Sequence, residues 1–143
     1  MGNYKILPHI ADVRVQAFGK TKEELFLNAM KGMNAVLKPK IKDKKQKIKN
    51  KIKIESLDLN ALLVDFLSEV LYLIQTNKEI YNKIKFTKFS DPSNSSGQAE
   101  LEGELTGNKV SEFGEDIKAV TYHGLKIEKN KKGLYQTTIL LDI

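Results

Sequence analysis

The stretch Leu59–Ile74 constrains this chain more than any other. Leu59, Leu62, Leu63, Phe66, Leu67, Val70, Leu71 and Ile74 recur at three- and four-residue intervals, which lays a broad apolar stripe along one side of a helix. A stripe of that width has to be covered by another element, so this helix is expected at the centre of a core. Ser56 or Asp58 can cap its start. Asp65 and Glu69 interrupt the stretch, which reads as too short and too charged to span a bilayer. Asp65 lies roughly 150° from the centre of the stripe on a helical wheel. Solvent is therefore its expected surrounding, and with Glu69 one turn on it makes an acidic patch that a partner could face.

The remaining segments supply what such a helix packs against. Tyr4–Leu7 and Val13–Phe18 read as strands, the second with Val13, Val15 and Ala17 on one face and Arg14 and Gln16 on the other. Thr21 and Glu24 have the spacing of a capping box. Leu25, Phe26, Ala29, Met30, Met33, Val36 and Leu37 then follow at helical intervals until Pro39 stops them. From Asp43 to Glu55, lysines 47, 49, 51 and 53 alternate with Ile48, Ile52 and Ile54, which predicts a strand with one solvated face. Ile80–Phe89 and Gln98–Leu105 predict a hairpin joined by a segment rich in turn formers. Its Glu100, Glu102 and Glu104 share a face that Lys83 and Lys85 can meet. Ile117–Glu128 and Leu134–Ile143 predict a second hairpin turning at Asn130–Gly133, and a slip in the alternation at His123–Gly124 predicts a β-bulge. The fold class is α+β: a mostly antiparallel sheet system with two helices in a single compact domain, 1–143.

Composition narrows the chemistry. Cysteine is absent, so there is no disulfide framework, thiolate metal site or cysteine nucleophile. The first residues carry Lys5, Pro8 and His9 and no long apolar run, unlike a signal peptide; the protein is expected in the cytoplasm, off the membrane. The net charge is +6, yet Arg14 is the sole arginine. Lysine binds phosphate as a point charge and lacks the planar fork that reads bases, so sequence-specific nucleic-acid binding is disfavoured. His9 and His123 make no metal spacing or hydrolase triad, and no phosphate-binding glycine motif is present. Tyr122 and His123 could stack bases, although a strand aromatic is more often core. Lys109 and Lys118, near and on the Ile117 strand, read as solvated.

The end of the chain carries the sharpest signal. Ile139–Leu141 reads as buried strand, yet Asp142 and the carboxylate of Ile143 follow at once. Two neighbouring anions on a packed strand repel and are costly to desolvate. Either the terminus frays into water, or a hard cation gathers these oxygens together with a further carboxylate. Asp12, just before the Val13 strand, is the candidate for that carboxylate; as a lone residue it would serve as a turn former.

Four segments together resemble the archease family: His9–Val13, Leu62–Leu67 with Val70–Leu73, Ile117–His123, and the final Asp142–Ile143. The Gly19–Lys20–Thr21 entry to the first helix fits as well. The family's usual tryptophan in the second helix is replaced by Phe66, a change of core volume. The resemblance implies a protein cofactor, not an enzyme. Its partner would be the GTP-dependent RNA ligase that joins a 3′-phosphate or 2′,3′-cyclic phosphate end to a 5′-hydroxyl end in tRNA splicing. It would promote guanylylation and multiple turnover of that ligase, with RNA contact indirect or weak. It also implies a divalent metal, calcium foremost, on Asp12, Asp142 and Ile143. Residues that could face the partner are His9, Asp65, Glu69, Lys109 and Lys118. Two other readings stay open: a stand-alone RNA-binding or chaperone-like module using the lysine strands, and a metal-dependent phosphoester hydrolase.

Overall fold

A computed structural model describes residues 3–7, 12–92 and 97–143. The contacts gather into two compact units, Met1–Pro39 with Phe113–Ile143, and Lys40–Glu112. The α+β expectation holds: two helices and antiparallel sheets account for the described elements.

The first unit is built from both ends of the sequence. Strands β1 (Tyr4–Leu7) and β2 (Asp12–Gly19) pair antiparallel. After them comes helix α1 (Lys22–Leu37). The unit then takes β7 (Ala119–Thr121), β8 (Glu128–Lys129) and β9 (Tyr135–Asp142) from the far end. The sheet order is β1-β2-β9-β7, with β8 also on β9. Val15, Ala17, Ile139 and Leu141 face inward and are buried. Helix α1 packs on this face at Gly32, where an added Cβ would lie 2.4 Å from Val15 Cγ1. Thr21 caps the helix by accepting the Glu24 amide at 3.0 Å. The reciprocal half of the box is displaced by one residue, since Glu24 Oε1 accepts from the Lys20 amide at 2.7 Å. The helix ends with Lys38 in the left-handed region, φ 49°.

The second unit holds the apolar helix. Its strands are β3 (Pro39–Ile41), β4 (Ile48–Ser56), β5 (Glu79–Ser90) and β6 (Ala99–Phe113). β6 is the hub, pairing with β3, β4 and β5. Helix α2 (Leu59–Asn77) packs on β4 and β5 and buries Leu62, Leu63, Val64, Phe66, Leu67, Val70, Leu71 and Ile74. At 19 residues α2 is long and apolar enough to cross a bilayer, longer than Leu59–Ile74 suggested; here its stripe is the core of a sheet-and-helix layer. Phe66 is fully buried, 6.4 Å from the Phe86 ring. Asp58, not Ser56, is the cap, accepting the Ala61 amide at 2.8 Å.

Two expectations need adjustment. The strand placed over Asp43–Glu55 begins only at Ile48, and a short strand at Pro39–Ile41 precedes it. Asp43 makes a turn instead, its Oδ1 accepting from the Lys45 amide at 2.9 Å, and Asn108 Nδ2 secures that loop by donating to the carbonyls of Asp43 and Gln46. The bulge expected at His123–Gly124 is present as a wider excursion: Gly124 has φ 66° and the Leu125 amide bonds the Tyr122 carbonyl at 3.2 Å, after which the chain resumes the same edge of β9 in the same direction, the register stepping from Thr121 opposite Leu140 to Glu128 opposite Gln136. Further bulges lie in β5, between Tyr81 and Lys83 and between Phe86 and Lys88. They face Gly107 and Gly103 of β6, which have no side chain to collide with the displaced backbone.

Candidate metal centre and the buried network

β2 and β9 run in a register that places Asp12 directly opposite Asp142. Opposed residues of an antiparallel pair project to the same face, with Cβ atoms about 4.5–5.5 Å apart. The pleat sends Val13 and Leu141 inward, so both aspartates take the outer face. Asp12 is half-buried and Asp142 exposed. On the other flank of Asp142 stands Ala119 of β7, and the Lys118 amide donates to the Asp142 carbonyl at 2.7 Å. The strand end is thus held on both sides. Arg14, two residues along β2, shares the outer face and opposes Leu140, placing the sole arginine one row from the carboxylates. Thr121, also opposite Leu140, has a buried Oγ1 with no hydrogen-bond partner among the described residues.

Among the described residues no three His, Cys, Asp or Glu side chains cluster as a metal cage. The oxygens that the register gathers here are the two carboxylates and those of the adjoining Ile143, with the Thr121 hydroxyl a row away. These are all oxygen donors, which suits a hard cation that completes its shell with water or a partner's oxygens.

The other candidates are scattered. His9 lies outside the described residues. Glu69 is exposed on α2. Asp65 is not the solvent-facing residue expected from the wheel: it is half-buried, and Ser56 Oγ donates to its Oδ2 at 2.6 Å. Asp65 therefore ties α2 to the end of β4. Lys118 offers its backbone to Asp142 and its side chain to solvent. Tyr122 and His123 are exposed at the turn.

Lys109 belongs to a buried network that periodicity did not reveal. Its Nζ lies 3.0 Å from Glu79 Oε2 and donates to the Asn77 carbonyl at 3.2 Å. Glu79 Oε1 also accepts from Asn50 Nδ2 at 2.9 Å and from the Tyr81 hydroxyl. Glu79 is 6% exposed and Tyr81 fully buried. Burial by itself would raise the Glu79 carboxyl, but hydrogen bonds from Tyr81, Lys109 and Asn50, with the lysine's charge, outweigh it and hold the group below its ordinary value. Burial and the neighbouring carboxylate push the Tyr81 phenol well above its usual range. The available signal was Asn50, a polar residue on the inward face of β4 between Ile48 and Ile52.

On the outer face of the same sheet, Glu102 lies between Lys53 and Lys88, and Glu104 between Lys51 and Lys85. Close pairs form at Lys88–Glu100, 2.6 Å, and Lys49–Glu104, 3.7 Å. The lysine strands thus carry their own counter-charge.

Comparison with known proteins covers the whole chain. The model described as "Archease protein family (MTH1598/TM1083)" matches residues 4–143. The chain is 36% identical to Protein archease of Methanosarcina barkeri over 98% of this chain and 95% of that one. It is 29% identical to Protein archease of Thermococcus kodakarensis over the full length of both. The solution structure of protein 1598 of Methanobacterium thermoautotrophicum superposes with TM-score 0.73 at 27% identity, covering both chains completely. A Thermotoga maritima crystal structure titled an archease, possible chaperone, shares the fold with TM-score 0.69 at 20% identity, over 97% of this chain and 96% of that one.

Proposed function

This chain belongs to the archease family, and from that membership we propose that it is a metal-binding protein cofactor of a GTP-dependent RNA ligase, acting in the cytoplasm. It raises guanylylation of the ligase and lets each ligase molecule act many times. The observation that carries the metal part of this reading is the register that sets Asp12 against Asp142 beside Ile143. Like charges directly opposed across a sheet are destabilising, and a cation held between them would relieve the repulsion.

The chain's part in the mechanism is positioning. Asp12, Asp142 and an oxygen of Ile143 would hold a divalent ion, calcium foremost, on the outer face of the sheet. The ion would supply positive charge for oxygens of the ligase or its nucleotide. The amide of Lys118 and the pairing with β2 and β7 fix the strand that bears Asp142, so the carboxylates need no reorganisation on docking. This chain forms no covalent intermediate. The counter-charge on the lysine strands favours this reading over a stand-alone RNA binder that uses them.

Ligation by the partner ligase, kept substoichiometric to RNA, tests the reading. Turnover is expected to run many rounds with this protein and to stall near one round without it. Equal turnover in both arms would refute it.

A further inference from the structure

Away from the carboxylate pair, the outer face of the first unit's sheet ends in a cleft of about 350 Å³ lined by Lys5, Phe18, Asn130, Lys131, Lys132 and Leu134. That volume falls in the usual range for small-molecule sites, about 300–1,000 Å³. Phe18 departs from its strand's pattern. The other outer-face residues of β2 are Asp12, Arg14 and Gln16, all polar, and Phe18 continues that series with an aromatic ring. Its backbone is clamped from both sides. The amide donates to the Asn3 carbonyl at 3.1 Å, and the carbonyl accepts from the buried Asn28 of α1 at 2.6 Å. The ring therefore sits on a fixed platform.

The backbone that carries two of the lysines is fixed by hydrogen bonds. Lys131 and Lys132 occupy the turn between β8 and β9. Asn130 Oδ1 accepts the amides of Lys132 and Leu134 at 2.9 and 3.0 Å, and Gly133 closes the turn with φ 80°. Lys5 reaches the cleft from β1, where it opposes Gln16. None of these three ammonium groups makes an ion pair among the described residues. The lysines of the second unit's sheet, by contrast, are interleaved with glutamates. Glu128 is the nearest acid by register, opposite Gln136, which itself opposes Phe18.

An aromatic platform beside unpaired cations matches one ligand chemistry, a flat base joined to a phosphate. We propose that this cleft binds a nucleotide, the base stacked on Phe18 and the phosphate held by Lys5, Lys131 and Lys132. The ligand is either a free nucleoside phosphate or one residue of a single-stranded RNA. The inference stands without the ligase reading, because it concerns this protein alone.

Fluorescence anisotropy with labelled hexaadenylate, competed by AMP or by inorganic phosphate, tests it. Wild type is expected to bind the hexamer. Phe18→Ala should weaken binding about fivefold or more, the lower end of what one stacked base contributes. Phe18→Leu, which keeps an apolar side chain in place, should weaken it similarly and guards against a folding defect. Lys131→Ala with Lys132→Ala, on an exposed turn, should weaken it about tenfold, while Lys51→Ala with Lys53→Ala should not. Competition by AMP identifies a free nucleotide as sufficient; Phe18-dependent binding of the hexamer without it identifies the strand. The proposal is overturned if wild type does not bind or if both Phe18 variants bind as wild type does. It is equally overturned if phosphate competes as well as AMP, or if the Lys51 and Lys53 pair matters as much as the turn pair.

Discussion

At the scale of single residues, two carboxylates facing each other across β2 and β9 repel unless something lies between them. Asp142→Asn should therefore leave the metal-free protein as stable as wild type, or more stable by about 0.2–1 kcal/mol, while calorimetric titration shows calcium uptake lost. Uptake at wild-type affinity would remove Asp142 from the site. Glu79 makes stability depend on acid. Its folded-state pKa is lowered from 4.5, so as pH falls the unfolded chain takes up the proton first. The stability this group contributes is complete above that ordinary value and fades as pH drops through the lower folded one. Urea melts from about pH 6 to pH 3 should lose stability less steeply in Glu79→Gln than in wild type. The substitution should also cost about 1–3 kcal/mol at neutral pH, because the donors around Glu79 lose a charged acceptor; parallel pH profiles would discount the network. Asp142 stood out in the sequence because charge at the end of an apolar run is anomalous, whereas its pairing with Asp12 is a matter of the β2–β9 register. Glu79 did not stand out, because a glutamate just after a helix looks like surface until Tyr81, Asn50 and Lys109 are seen to converge on it.

Among elements, the joints matter more than the lengths. The α2 stripe and the α1 capping box could be read directly, since both depend on residues close in sequence. The β5 bulges could not, because they depend on Gly103 and Gly107 of a different strand. At Gly107 a Cβ would stand 1.7 Å from the Ile80 carbonyl oxygen, with backbone that cannot move aside without breaking the β5–β6 ladder. Gly107→Ala should cost about 3 kcal/mol or more, seen as a large fall in melting temperature. Gly124→Ala meets nothing within 4 Å and should cost only about 1 kcal/mol for its positive φ. Equal melting temperatures for the two variants would mean that the bulge relaxes freely. The long strand expected from Ile117 to Glu128 lies along β9 but is interrupted between β7 and β8. Its apolar alternation continues through Tyr122 in sequence, but the turn at His123–Gly124 lifts the chain off β9 until Glu128 pairs again.

For the molecule as a whole, the core and the site should separate cleanly under mutation. Leu63 is fully buried, and Leu63→Ala should cost about 2–5 kcal/mol by leaving a cavity. Asp12→Ala should melt like wild type and fail to support multiple-turnover ligation. If it melts like wild type and supports full turnover, the carboxylate pair is not the working part of the protein. The sheet that carries the pair has a further consequence, set by the order of synthesis. β9 lies between β2 and β7 and also pairs with β8, yet it is the last of these strands to leave the ribosome. The hairpin of β1 and β2 must wait, with one edge open, while the elements from α1 to β8 are translated. The second unit, Lys40–Glu112, has all its strands and its helix in hand well before then. Asp12 consequently gains its counterpart only after every other strand of its sheet has been made, so a chain that stops before β9 would lack the carboxylate pair however well its helices had formed.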